Sequence, residues 1–422
     1  MQVTINTVSE VQQEAEIEVS NTELQPHFDQ AYIKYRPKVE LKGFRKGKVP
    51  LEMIKKLYGE AIEHDALDTI AGEFYNKAME EKGIRPLGQP TMVDMNFKRG
   101  ENFRFKIKYE VTPAIELKKY KGLKVERPLR TVTDEEVNSE IHHLQRVNST
   151  TTPAERVTDS EFIVTADVQE FDETWTPMIG KKTPATPFYL SDETLANEIK
   201  DALSNAEMGG TYRAKIETRH DDHDHKAYYG FTVTKIEKVN LPPLDDELVK
   251  KITKDKVTSA DEFRKNLRAD LERYWAEQAD AKVKDALADE IVREHEIPIP
   301  DALVQGFLDS FVDDIKNKSE GRKLPKNFDE QKFRTESRPH AIWQAKWLLL
   351  KQRIAEAENI TVSEEDFDTL AEADAPKIGI DKTRLLQYYK SSGSTGDRIL
   401  SDKIIAFLVS AAKISDKIIE QR

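Results

Sequence analysis

The 422-residue sequence contains no cysteine. Disulfides and thiolate nucleophiles are therefore excluded, and with them a structural zinc site of the usual thiolate type. Long apolar runs are missing too, since no stretch approaches the roughly eighteen residues that a membrane-spanning helix needs. The segment from Met1 to Ser20 has no basic run followed by an apolar core, so it does not read as a leader, and the expected location is cytoplasmic with no membrane partner. Catalytic signatures fail as well. There is no Gly-x-Ser-x-Gly turn and no phosphate-binding glycine loop followed by Lys-Ser or Lys-Thr. Paired acids such as Asp245-Asp246 and Glu364-Glu365 stand at expected helix starts, where capping and dipole effects explain them. No catalytic residue, metal or cofactor is expected.

Charge is plentiful. Lys and Arg number 65 against 77 acids, a net charge of −12, and charged residues make up 34% of the chain. With a mean hydropathy of −0.66, this balance suits an elongated, solvent-rich helical architecture of about two to four domains.

One stretch has the opposite sign. Between Lys34 and Lys56 nine Lys or Arg face two acids, Glu40 and Glu52, for a local charge of +7. At its centre lies Leu41-Lys42-Gly43-Phe44-Arg45-Lys46-Gly47-Lys48-Val49-Pro50. Two glycines four residues apart, with an aromatic between them and a closing proline, describe a tight loop, and Pro50 stands where a helix can begin. A patch so unlike its chain suits a polyanionic partner; a solvated helix-to-helix connection explains the charge equally well.

Around this loop, alternation at Val3, Ile5, Val8, Ala15, Ile17 and Val19 predicts a strand pair, and Asn21 or Thr22 can cap a helix through Leu24, Phe28, Tyr32 and Tyr35. Leu51 to Met79 trace a long amphipathic helix ended by Gly83, and Phe103, Phe105, Ile107, Tyr109 and Val111 return to strand alternation. Residues 113–131 read as an extended linker, and Thr133 to Glu136 as a capping box. Strands are expected at 161–171, 211–218 and 228–239 around a helix near 192–205. Everything after Leu241 reads as helical: 260–296, a second helix from Leu303, a third from Asp329 bent near Pro339, a fourth capped by Ser363 with Asp366, and a last from Asp397.

The octet Gly43 to Pro50 resembles the Gly-Phe-Arg-x-Gly-x-x-Pro signature of trigger factor, the bacterial ribosome-associated chaperone family, at every fixed position. Ile297 to Val304, Ile360 to Phe367 and Asp402 to Leu408 also look like that family and fall in its order. The resemblance implies a multidomain α+β fold. Residues 1–112 would form a small α+β ribosome-binding domain, 113–150 a linker and a helix packing with the C-terminal body, 151–240 a divergent FKBP-like domain, and 241–422 an all-α chaperone body with arms. By the same resemblance Gly43, Phe44, Arg45, Lys46, Gly47 and Pro50 would make the docking loop. Its partners would be protein and RNA of the large ribosomal subunit near the exit tunnel, and nascent and unfolded polypeptides; a homodimer off the ribosome is compatible with it.

Surplus apolar side chains on the helices, Phe307, Phe311, Trp343, Trp347, Phe407 and Leu408, are candidates for a client-binding face. Unfolded segments would bury apolar area there at about 25 cal/mol per Å² through interchangeable contacts, with no ATP site required. Ordinary core packing is the alternative for each. Segments 201–212 and 230–236 resemble the later half of an FKBP-type prolyl isomerase domain. The sequence departs from that pattern at Phe171 to Pro177 and at Leu195 to Ile199, where the floor of a proline pocket belongs. Trp175, Phe188, Tyr212, Tyr229 and Phe231 can line an apolar cleft or simply the domain core, and little or no isomerase activity is expected. The alternating imidazoles and carboxylates at 220–225 have metal-like composition but no evident supporting shell, as a polar hairpin tip would.

Overall fold

The computed structural model describes residues 1–220 and 223–419. These divide into two compact units, Met1–Arg127 with Asp280–Lys417, and Pro128–Ala279 with the residues from Ile418.

The first unit opens with the antiparallel strands β1 (Gln2–Ser9) and β2 (Gln12–Val19), then α1 (Asn21–Tyr35), α2 (Leu51–Lys82), β3 (Leu87–Asn96) and β4 (Phe103–Glu110). The four strands make one antiparallel sheet in the order β1-β2-β4-β3. Period-2 alternation places Ala15, Ile17 and Val19 opposite Ile107, Phe105 and Phe103, so these pairs bury an apolar stretch on one face of the sheet. Leu24, Phe28 and Tyr32 of α1 and the inner stripe of α2 join the same core. Ser20 caps α1 with Glu23 completing the box, one residue before the expected cap.

Residues 113–123 are extended, as expected, yet bound along their length. Ile115 and Leu123 are buried in the helical core, and Nε2 of the buried His295 accepts the Lys118 N–H at 2.8 Å. The following residues form β5 (Lys124–Leu129). The chain then enters the second unit: α3 (Asp134–Val147), β6 (Thr150–Pro153), β7 (Phe162–Phe171), β8 (Pro177–Tyr189), α4 (Asn197–Leu203), β9 (Thr211–His220), β10 (His223–Asn240), α5 (Asp246–Thr253) and the first part of α6 (Ala260–Glu294). Five of these strands form a sheet of order β6-β10-β7-β8, with β9 also on β10. β6 and β8 had no sequence signal: β8 carries prolines at 177, 184 and 187, and its outer residues are exposed.

The remaining elements, α7 (Asp301–Lys318), α8 (Glu330–Glu358), α9 (Glu364–Ile378), α10 (Lys382–Ser391), α11 (Gly393–Ala411) and β11 (Lys413–Ile418), belong to the first unit up to Lys417. Val283, Leu287 and Ile291 of α6, Leu350 and Ile354 of α8, and Ile404 of α11 interlock there. α8 runs through Pro339 as one helix, and Ser363 with Asp366 makes both halves of the capping box. Two features depart from expectation. α10 is a separate helix capped by Asp381, and the chain after Ala411 is a strand that pairs with β5. The fold is thus mixed, with an N-terminal α+β part, a β-rich middle and a helical C-terminal part. Among the described residues no helix is long and apolar enough to cross a membrane.

Candidate functional site: a basic loop and an aromatic helical hairpin

The loop between α1 and α2 is built from two consecutive tight turns. The Phe44 N–H donates to the Leu41 carbonyl at 3.0 Å and the Lys48 N–H to the Arg45 carbonyl at 2.9 Å. Each turn needs a positive φ at its third position, and glycine supplies it twice, Gly43 at +95° and Gly47 at +76°. The four-residue glycine spacing is therefore the repeat of the turns themselves. Leu41 and the fully buried Val49 fasten the loop to the N-terminal core, and Pro50 starts α2 from an extended φ/ψ.

What remains outside is one ring among cations. Phe44 is 40% exposed, and Lys42, Arg45, Lys46 and Lys48 are exposed around it. Lys46 pairs with Glu40 at 2.6 Å, and that hydrogen bond holds the Glu40 carboxyl below its usual range. Arg45 has no side-chain partner among the described residues. The geometry concentrates cations around one projecting ring on a backbone fixed at both ends.

Between α1 and α2 lies a buried polar group that periodicity does not announce. Glu63, 5% exposed, stands in the inner stripe of α2. The Tyr32 hydroxyl of α1 donates to it, and Arg99 of the β3–β4 turn pairs with it at 3.2 Å. Arg99 also reaches the Lys55 carbonyl at 3.3 Å. Gly59 leaves room for this arginine, since a Cβ there would fall 2.6 Å from its guanidinium. Burial, reinforced by the Glu63 contact, pushes the Tyr32 hydroxyl up to about 12. The only sequence signal was an acid inside an apolar stripe.

The six candidate client residues fall into two groups. Trp347 and Leu408 are buried core residues, 8% and 1% exposed, and so are not surface in this structure. Phe307, Phe311, Trp343 and Phe407 are half-buried. On the α7–α8 hairpin Phe311 lies 5.3 Å from the ring of His340, which stacks in turn on Trp343 at 6.2 Å. The ion pairs Arg338–Asp301 and Arg334–Asp309, at 2.6 and 2.7 Å, cross the same two helices. Phe407 sits apart on α11, under the Lys121 ammonium.

In the second unit, Phe188, Tyr229 and Phe231 line a cleft of about 310 Å³ together with Val168, Ile199 and Ile216. Glu170 and Lys181 pair at its rim at 3.0 Å. The other two expected aromatics lie elsewhere. Trp175 meets Tyr228 edge-to-face and lies under Arg213, and the Tyr212 hydroxyl accepts the Glu207 N–H. The metal-ligating side chains considered at 220–225 lie outside the described residues.

With this geometry in view, residues 1–144 match the family described as bacterial trigger factor protein (TF), and residues 259–410 match its C-terminus. The trigger factor of Salinibacter ruber is 30% identical, covering 99% of this chain and 95% of its own. That of Prosthecochloris aestuarii is also 30% identical, covering 98% and 97%. A solved structure of the trigger factor chaperone, titled for promiscuous substrate recognition in folding and assembly, superposes with a TM-score of 0.51 at 18% identity, covering 97% of this chain and 99% of that one.

Proposed function

Because the chain belongs to the trigger factor family of chaperones, we propose that it docks beside the exit tunnel of the large ribosomal subunit and shields apolar segments of nascent chains in the cytoplasm. The observation that carries this reading is the twin-turn loop, which holds Phe44, Arg45 and Lys46 outward while its flanks are buried. A polyanionic surface of RNA and protein is the complement of a local charge of +7 in a chain of −12. The client surface is then the half-buried set Phe307, Phe311, Trp343 and Phe407. These rings exchange partial cover for client contacts without dismantling the core, which Trp347 and Leu408 maintain. Release needs no nucleotide, because a folding client withdraws its own apolar area.

The test is co-sedimentation with ribosomes of the wild type beside a Phe44→Ala, Arg45→Ala, Lys46→Ala variant. The variant is expected to lose co-sedimentation with an unchanged melting temperature, since all three side chains are exposed. Undiminished co-sedimentation would sink the proposal.

A second reading, prolyl isomerisation, draws on the cleft at Phe188, Ile199, Tyr229 and Phe231. The departures at 171–177 and 195–199 favour little or no turnover. A protease-coupled prolyl-peptide assay separates the two, and full turnover abolished by Tyr229→Ala would establish the second.

A further inference from the structure

The helix α7 begins without a cap of its own. Pro300, at its N-cap position, has no side chain that can accept a hydrogen bond, and the first-turn Asp301 is committed to Arg338 at 2.6 Å and Gln305 at 3.2 Å. The orphan N–H of Ala302 is nevertheless satisfied. It donates at 2.7 Å to a carboxylate oxygen of Glu110, which lies 192 residues away on β4.

The same place shows a close backbone approach. Gly88 stands next to Leu87, the strand partner of Glu110. A Cβ on Gly88 would lie 2.5 Å from the Cβ of Ala302, so the absence of a side chain is what lets β3 meet the first turn of α7. Glu110 and Gly88 thus form one seat, a carboxylate and a bare backbone, into which the helix end fits.

We propose that Glu110 is a positioning residue that supplies the missing N-cap of α7 and thereby fixes the N-terminal α+β domain to the α7–α8 hairpin. A carboxylate at a helix N-terminus gains from both the hydrogen bond and the helix dipole. The functional meaning, that the orientation of the docking loop is passed to the client-facing hairpin, rests on the reading proposed above. The positioning itself does not.

The absence of cysteine makes the test direct. Spin labels on Asn76→Cys of α2 and Asn317→Cys of α7, both exposed, report the distance between the two parts in the full chain. The wild type and Glu110→Gln, which keeps an acceptor oxygen, are expected to give one narrow distance distribution. Glu110→Ala is expected to lose it. Pro300→Ser is the decisive variant, because serine caps α7 locally and competes with Glu110 for the helix end. A merely stabilising role for Glu110 predicts that this variant stays narrow, whereas positioning predicts loss of the single peak in a helix that is no less stable. A narrow, unshifted distribution in either Glu110→Ala or Pro300→Ser would overturn the proposal. Ribosome co-sedimentation of Glu110→Ala should remain, because the docking loop is untouched, so failure of the docking reading is scored separately.

Discussion

Gly43 and Gly47 act through the sign of φ. An L-residue held in the left-handed region costs about 1–2 kcal/mol, and asparagine tolerates that region better than alanine. Gly47→Ala is therefore expected to weaken ribosome binding roughly fivefold or more, about 1 kcal/mol, and Gly47→Asn to restore most of it. Equal binding by both variants would show that the turn geometry is not what presents Phe44. A different residue-scale argument applies to Glu63. Removing it strands the buried Tyr32 hydroxyl, and an unsatisfied buried donor costs about 1–3 kcal/mol. Glu63→Ala is expected to lower the urea midpoint of the N-terminal domain accordingly, with Glu63→Gln closer to wild type because an acceptor remains. The glycines were legible in the sequence because their spacing equals a backbone repeat. Glu63 was not, because its partners come from α1 and the β3–β4 turn, and no local period links them.

Among the elements, the capped helices were the easiest to read and the paired strands the hardest. Ser363 and Asp366 lie three residues apart, and both halves of their box form. β11 has no local signature, because its six residues are all exposed and its partner β5 is nearly three hundred residues earlier. Cross-strand pairs hold the ribbon, with Arg127 gripping Asp416 through two nitrogens at 2.8 and 3.2 Å. Asp366 also shows how one element steadies another. Lys403 of α11 bonds its carboxylate at 2.7 Å, and this contact, with the Ser363 N–H, lowers its pKa from 3.8 to about 2. A depressed carboxylate contributes stability that is present above its unfolded value and is lost as pH falls through the folded one. The start of α9 is therefore expected to loosen between about pH 4 and 2. Carboxyl NMR titration should place the Asp366 midpoint near 2, and Lys403→Ala should move it up toward an ordinary aspartate. An unmoved midpoint would assign the shift to the cap alone.

For the whole molecule, the question is which parts stand alone. β6 and β10 pair so that Thr150 lies opposite Asn240, and opposed residues in an antiparallel pair have Cα atoms about 5 Å apart. The intervening segment thus leaves and re-enters the chain at nearly one point. What flanks it closes without it. Val137 and Ile141 of α3 pack with Leu244 and with Leu267, Leu271 and Trp275 of α6, and Gln145 reaches the Pro242 carbonyl at 2.8 Å. Among the described residues the side-chain contacts that would be lost are polar and few, His142 to Glu161 at 3.1 Å, Arg146 to Asp192 at 3.8 Å and over the Tyr189 ring, and Asn240 to Thr152 at 3.2 Å. The middle sheet has its own core, from Val157 to Ile236. Replacing residues 151–239 by a link of about three glycines, enough to span such a gap, is therefore expected to leave a folded protein that still co-sediments with ribosomes and has lost the cleft at Tyr229 and Phe231. The excised segment should fold on its own, seen as dispersed amide resonances. If the shortened chain instead loses helicity beyond α4, then α3 and the first half of α6 depend on the middle sheet, and the proposed domain division at 151–240 is wrong.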